Sequence, residues 1–184
     1  MIPRASLQLE YATKECQQYA QYWHAIPKNG LVPNRSDFFP EEVPELLPNF
    51  IMHDFISANE SIIRLIGTSI ANRYSENITG RNYLDFVAEA RKETAGFALA
   101  QMSEKPCGMR VLLRQKTKSG REYMSESLGF PLLNISTGRH LLLFQNIIIE
   151  DGFDLNSKPD QLVNLGVSKR DFIDIGAGIP DFVE

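Results

Sequence analysis

The chain has 184 residues, a length that suits one domain with an appendage and leaves little room for a second full core. Its 43% hydrophobic and 23% charged residues are those of a globular protein and exclude a disordered or fibrous chain. With 23 acidic against 19 basic residues the net charge is −4, the wrong sign for holding DNA or RNA by phosphate neutralisation, so no nucleic-acid partner is expected.

From Ser6 to Ile26 the residues Ala12, Cys16, Tyr19, Ala20, Trp23 and Ile26 recur at helical spacing, which predicts an amphipathic helix ended by Pro27 and Asn29-Gly30. No signal segment precedes it, and nowhere do the roughly eighteen apolar residues of a membrane span follow one another. A cytoplasmic protein is expected. Pro33, Pro40, Pro44 and Pro48 then exclude a long helix or central strand and predict an ordered, proline-braced connector.

Phe50–Ser57 and Ser61–Gly67 read as two strands at hairpin distance, followed by a short helix near Thr68–Tyr74. A second amphipathic helix is expected from an N-cap at Asp85, with Phe86, Val87, Ala90, Phe97, Ala98 and Met102 as its apolar stripe and Pro106 as its end. Three strands follow as a meander, Cys107–Lys116, Glu122–Leu133 and His140–Glu150, with Pro131 marking a bulge or strand end. The division is therefore 1–48 for helix and connector, 49–150 for the core and 151–184 for a tail. Apolar residues in that tail, such as Phe172 and Phe182, predict that part of it docks on the domain or on a second subunit.

Catalytic constellations are missing from the pattern. His24, His53 and His140 lie in three different elements, Cys16 and Cys107 match neither a zinc spacing nor a CxxC motif, and no P-loop, HExxH or GxSxG occurs. No metal site and no enzyme are expected. Asp37, Glu41, Glu42 and Glu45 lack the alternating oxygens of a calcium loop. Arg110, Arg114 and Lys116 share one strand parity, either as a seat for an anionic partner or as a solvated sheet face. Glu126 is the odd member of the stripe Met124, Leu128, Phe130 and Leu132. A carboxylate there is paired, protonated or beside a polar cavity, unless a register break or a wet strand edge exposes it.

Several motifs meet a known family. Trp23, Gly30, Pro33, Arg35, Asp37, Pro40 and Pro44 precede Leu46-Leu47-Pro48; after a strand come Arg64-Leu65-Ile66-Gly67-Thr68 and then Thr79-Gly80-Arg81-Asn82-Tyr83-Leu84-Asp85. Over residues 15–150 this order resembles the PAS-like proteins, found largely in alphaproteobacteria, in which a tryptophan helix and proline connector precede a compact PAS core. The resemblance implies an α+β fold, a five-stranded antiparallel sheet with helices on one face behind an N-terminal amphipathic helix. It gives Trp23, Pro33, Arg35, Asp37, Arg64, Gly67, Gly80 and Arg81 architectural roles, with Arg64 and Arg81 suited to pair with carboxylates such as Asp37 or Asp54.

It also implies a sensory or adaptor role. With no effector region recognisable in the sequence, the signal is expected to leave by protein contact, including homodimerisation through the first helix and the tail. PAS domains that hold haem or flavin use a suitably placed His or Cys, and neither His53 nor Cys107 falls on such a motif; no cofactor is identified. If the core encloses a small-molecule cavity, Ile66, Ile70, Tyr74, Leu84, Phe97, Leu113, Glu126, Leu128 and Leu143 are its expected lining. A small-molecule-binding protein or cryptic enzyme using a cavity near Glu126 is the alternative function, and a wholly filled core the alternative to any cavity.

Overall fold

A computed structural model describes residues 10–74, 76–150 and 162–184. It shows an α+β fold in which six antiparallel strands lie in the order β2-β1-β5-β4-β3-β6. The strands are β1 (Phe50–Ser57), β2 (Glu60–Ile66), β3 (Cys107–Thr117), β4 (Glu122–Asn134), β5 (Arg139–Glu150) and β6 (Leu162–Asp174). Five of them match the strands read from alternation. The sixth corrects the strand count: residues 162–174, read above as tail, pair along β3 from Cys107↔Asp174 to Thr117↔Leu162. Charges at Lys169, Arg170 and Asp171 disguised this edge strand, since an edge tolerates them.

Both faces of the sheet are covered, because the strands bury residues of both parities. One face carries α2 (Thr68–Tyr74), α3 (Lys92–Glu104) and short 3-10 turns, packed on Ile51, Met109, Val111, Leu142 and Phe144. The other carries α1 (Lys14–Ala25) and the connector, packed on Phe50, Leu128, Phe130, Leu132 and Leu143. Cys16, Tyr19, Ala20 and Trp23 form the buried stripe of α1, as their spacing predicts. The described helix begins later than expected because Thr13 is its N-cap, its side chain accepting from Cys16 N–H; residues 1–9 lie outside the described chain.

The connector is tied to the sheet where β4 outruns its neighbour. Pairing of β4 with β3 ends at Met109↔Gly129, and four residues further on Leu133 N–H donates to the Pro33 carbonyl at 2.9 Å. Pro131 therefore sits where no ladder donor is demanded of it, and its carbonyl accepts from Trp23 Nε1 at 3.0 Å.

Two further expectations need correction. The second long helix starts at Lys92, not at an Asp85 cap: Asn82 Oδ1 accepts from Ser61 N–H and Leu84 N–H, tying residues 82–86 to the β2 edge as a 3-10 turn. That shift rotates Phe97 outward to 49% exposure, while Ala98, Leu99 and Met102 face the core. Gly96 permits the crossing of α3 over the β1–β2 hairpin, since a Cβ there would stand 1.7 Å from the Ala58 carbonyl oxygen. Gly67 allows a similar approach, its missing Cβ falling 2.3 Å from the carbonyl oxygens of Leu47 and Pro48.

Candidate functional site

Between the sheet and the α2–α3 layer lies a cavity of about 70 Å³. Its apolar wall comes from alternate residues of adjacent strands, Ile51 on β1, Met109, Val111 and Leu113 on β3 and Phe144 on β5, closed by Ile70, Tyr74 and Leu99. Period two explains the grouping: these positions share one parity, and the register aligns Ile51 with Phe144 and Met109 with Gly129.

Polar side chains of the same parity interrupt this wall. Gln115 Nε2 donates to Ser125 Oγ, which also accepts from Asn146 Nδ2 at 3.3 Å. Asn146 Oδ1 in turn accepts from Arg73 Nη1, and Arg73 Nη2 donates to Asn49 Oδ1 and to the Asn146 carbonyl, each at 3.2 Å. The result is one hydrogen-bonded row across β3, β4, β5 and α2. Arg73 is only 6% exposed, and burial lowers its pKa from the ordinary value, with Tyr123 and Tyr74 partly opposing. Its partners here are neutral.

His53 lies in the same wall, with Nδ1 3.3 Å from Ser61 Oγ and its ring edge-on to Tyr83 at 4.7 Å. Burial pushes its pKa down from 6.5 to about 3, so it is a neutral imidazole at pH 7. Because the folded value lies below the unfolded one, the unfolded state binds the proton first and stability falls as pH drops from 6.5 toward 3. The expected slope from this one residue is about 1.4 kcal/mol per pH unit. Unfolding free energies of wild type and His53→Gln between pH 7 and 4 check it: the slope is shallower in the variant, and equal slopes would refute a buried neutral imidazole.

At the rim, Arg91 and Arg170 complete the lining. Burial lowers the Arg170 pKa to about 10, with the neighbouring Arg91 adding to the effect and Tyr83 opposing it.

The nine expected lining residues separate into four groups. Ile70, Tyr74 and Leu113 line the cavity. Ile66 and Leu84 pack in the same apolar layer behind it, and Phe97 faces outward. Glu126, Leu128 and Leu143 belong to the opposite face, under α1. Glu126 is fully buried there and accepts from Ala12 N–H and Thr13 N–H at 2.9 Å, Thr13 Oγ1 at 2.7 Å and Arg110 Nε at 2.5 Å. Burial alone would raise its pKa, but the Ala12 N–H, Arg110 and Thr13 outweigh it and hold the carboxyl below its ordinary value. It anchors the start of α1 and is not part of the lining of this cavity.

The motif residues keep to structural contacts. Arg64 Nη2 binds Asp54 Oδ2 at 2.9 Å, whereas Arg81 pairs with Glu76 at 2.7 Å and Asp37 accepts from Asn34. Arg35 lies over the Phe38 ring, and Gly80 N–H donates to the Ile63 carbonyl. Of the basic stripe, Arg110 is buried in the Glu126 pair, while Arg114 and Lys116 face water. Among the described residues no cluster of three His, Cys, Asp or Glu side chains stands close enough to hold a metal ion.

Residues 12–143 match the PAS domain family. The chain belongs to the PAS domain family. No curated protein matches this PAS chain. Among solved structures, it is similar to an RNA-binding Light-Oxygen-Voltage receptor at 12% identity and TM-score 0.46, with 67% of this chain and 36% of that one covered. It is also similar to a fungal LOV domain photoreceptor at 14% identity and TM-score 0.44, with 72% of this chain and 90% of that one covered. This PAS chain thus spans about a third of the first structure's length.

Residues that the sequence reading missed are Arg73, Arg91, Gln115, Asn146 and Arg170. One signal for them was present: Gln145-Asn146 interrupts the apolar run Leu141 to Ile149, and Asn146 points into the cavity of the PAS domain while Gln145 points to α1.

Proposed function

We propose that this PAS domain is a sensory module that takes a small molecule into the cavity between the sheet and α2–α3 and reports its presence through protein contact, homodimerisation included. The observation that carries the reading is Arg73: a buried guanidinium, backed among the described residues by neutral asparagines, in the wall of a mainly apolar cavity. Buried charges are ordinarily paired, and a few placed polar groups in an apolar wall are the usual anatomy of a ligand site. The output surface follows from what is already covered. The apolar stripe of α1 is buried on its own sheet, so contact falls to the α3 side, where half-exposed Phe97 lies beside Phe182.

Native mass spectrometry of the full chain, with thermal shifts across a metabolite panel, tests this. A ligand at a hundred times its Kd raises stability by about 2.7 kcal/mol, a shift of several degrees for a domain of this size. Arg73→Met, which takes a buried positive charge out of the cavity wall, is expected to reduce that shift while leaving the circular dichroism unchanged. An apo mass together with no shift from any compound would rule the reading out.

A further inference from the structure

Among the described residues the cavity lining contains three guanidinium groups, those of Arg73, Arg91 and Arg170, and no Asp or Glu. Arg73 is engaged by its asparagines. Arg170 is not so provided for: its side chain is 5% exposed, and its Nη1 is buried with no hydrogen-bond partner among the described residues. Among the described residues one carboxylate reaches the rim pair. Glu184 accepts from Arg91 Nη2, and its Oε2 lies 3.1 Å from Arg170 Nε.

That carboxylate arrives on a strap. Residues 175–184 follow β6, are started by Gly176 N–H and Gly178 N–H donating to Asp174 Oδ1, and are held by Lys105 Nζ on the Ile179 carbonyl at 2.7 Å. Phe182 then stacks on Phe97 at 5.8 Å and meets Phe172 edge-on at 5.3 Å, with Arg170 over its ring at 5.1 Å. The side chain of Glu184 remains 38% exposed, so its ion pairs are screened by water and open to competition.

We propose that the ligand is a small organic anion whose head group takes the place of the Glu184 carboxylate between Arg91 and Arg170, releasing residues 175–184. The inference rests on the reading of the cavity as a ligand site. Two guanidinium groups that already hold one carboxylate have the charge and the donor geometry for another, or for a phosphate. The ligand's body is short: about 70 Å³ is roughly half of the ~150 Å³ that houses a benzene ring in an engineered core. A few carbon atoms against Val111, Val167 and Leu99 fill it. Release of the strap lifts Phe182 from Phe97 and Phe172, which couples occupancy to an aromatic contact surface. Glu184 meanwhile acts as a tethered competitor, weakening the apparent affinity by the fraction of molecules in which it is seated.

Calorimetric titration of the full chain and of Glu184→Gln with butanoate, propyl phosphate and butanamide tests the proposal. Both proteins bind an anion, Glu184→Gln about tenfold more tightly because the competing charge is gone, and butanamide does not bind. Whichever of butanoate and propyl phosphate binds better identifies the head group. Arg91→Met, at a partly exposed position that the fold tolerates, weakens anion binding to Glu184→Gln about tenfold, as loss of one charge-assisted pair does. Hydrogen exchange of residues 175–184 speeds up when the anion is added to wild type. Equal anion affinities in wild type and Glu184→Gln would overturn the competitor role, and butanamide binding as well as butanoate would overturn the anion assignment while leaving the cavity a ligand site. Thermal shifts from neutral compounds alone would likewise sink this proposal and spare the sensory reading. Silence from every compound would sink both.

Discussion

Glu126→Ala is expected to lower the unfolding free energy by about 3 kcal/mol or more, the cost of removing one partner from a buried, hydrogen-bonded ion pair. Four donors lose their acceptor at once: two backbone N–H groups, one hydroxyl and Arg110 Nε. Among the described residues Arg110 keeps only Asp171, at 3.2 Å. In a domain of this size the change corresponds to a melting temperature lower by roughly 10 °C. Because the folded carboxyl sits below its ordinary pKa of 4.5, the stabilisation is present above that pH and is lost as pH falls through the folded value. Urea unfolding at pH 7 and pH 4 measures both effects, and a loss below 1 kcal/mol at pH 7 would contradict the role given to Glu126. The double replacement Glu126→Leu with Arg110→Met recovers only the part of the loss that comes from a lone buried charge, since Ala12 N–H, Thr13 N–H and the Thr13 hydroxyl still lack their acceptor.

Trp23→Ala is expected to cost about 3–5 kcal/mol, the range for truncating a large buried aromatic. The ring is fully buried and stacked on Phe130 at 4.6 Å, with the Lys28 ammonium 4.3 Å from its centroid. Trp23→Phe retains the stack and loses the bond to the Pro131 carbonyl, a difference of about 1 kcal/mol against wild type plus whatever the smaller ring leaves unfilled. Since the chain has one tryptophan, its fluorescence reports directly on whether α1 is seated. Acrylamide quenching is low in wild type and rises in Glu126→Ala; unchanged quenching would show that Glu126 does not hold the helix.

Strand positions were legible because period two survives in a half-covered or fully covered strand, and the hairpin β1–β2 and the meander β3–β4–β5 fell where turn residues placed them. β6 was not, because its charged segment 169–171 is what an edge strand tolerates and what a tail also contains. For the site, parity correctly grouped Glu126 with Leu128 and Phe130, and Met109 with Val111 and Leu113. It could not say which group lies under α1 and which under α2–α3. Assigning the cavity therefore mixed residues of both faces: Leu113 with Glu126, Leu128 and Leu143. Arg73 was hidden for another reason. A short helix bearing one arginine carries no periodic signal, and the buried position of that side chain depends on Asn49 and Asn146, distant in sequence.

Along β4 the cavity and the seat of α1 are neighbours in the most literal sense. Ser127 lines the cavity, and the next residue back, Glu126, receives the N-cap of α1 on the reverse side. The same holds on β5, where Asn146 holds Arg73 on one side and Gln145 lies under the helix on the other. The sheet is thus a partition one peptide unit thick. A displacement of β4 or β5 by an occupant of one compartment is at once a displacement of the wall of the other, with no intervening layer of side chains to absorb it.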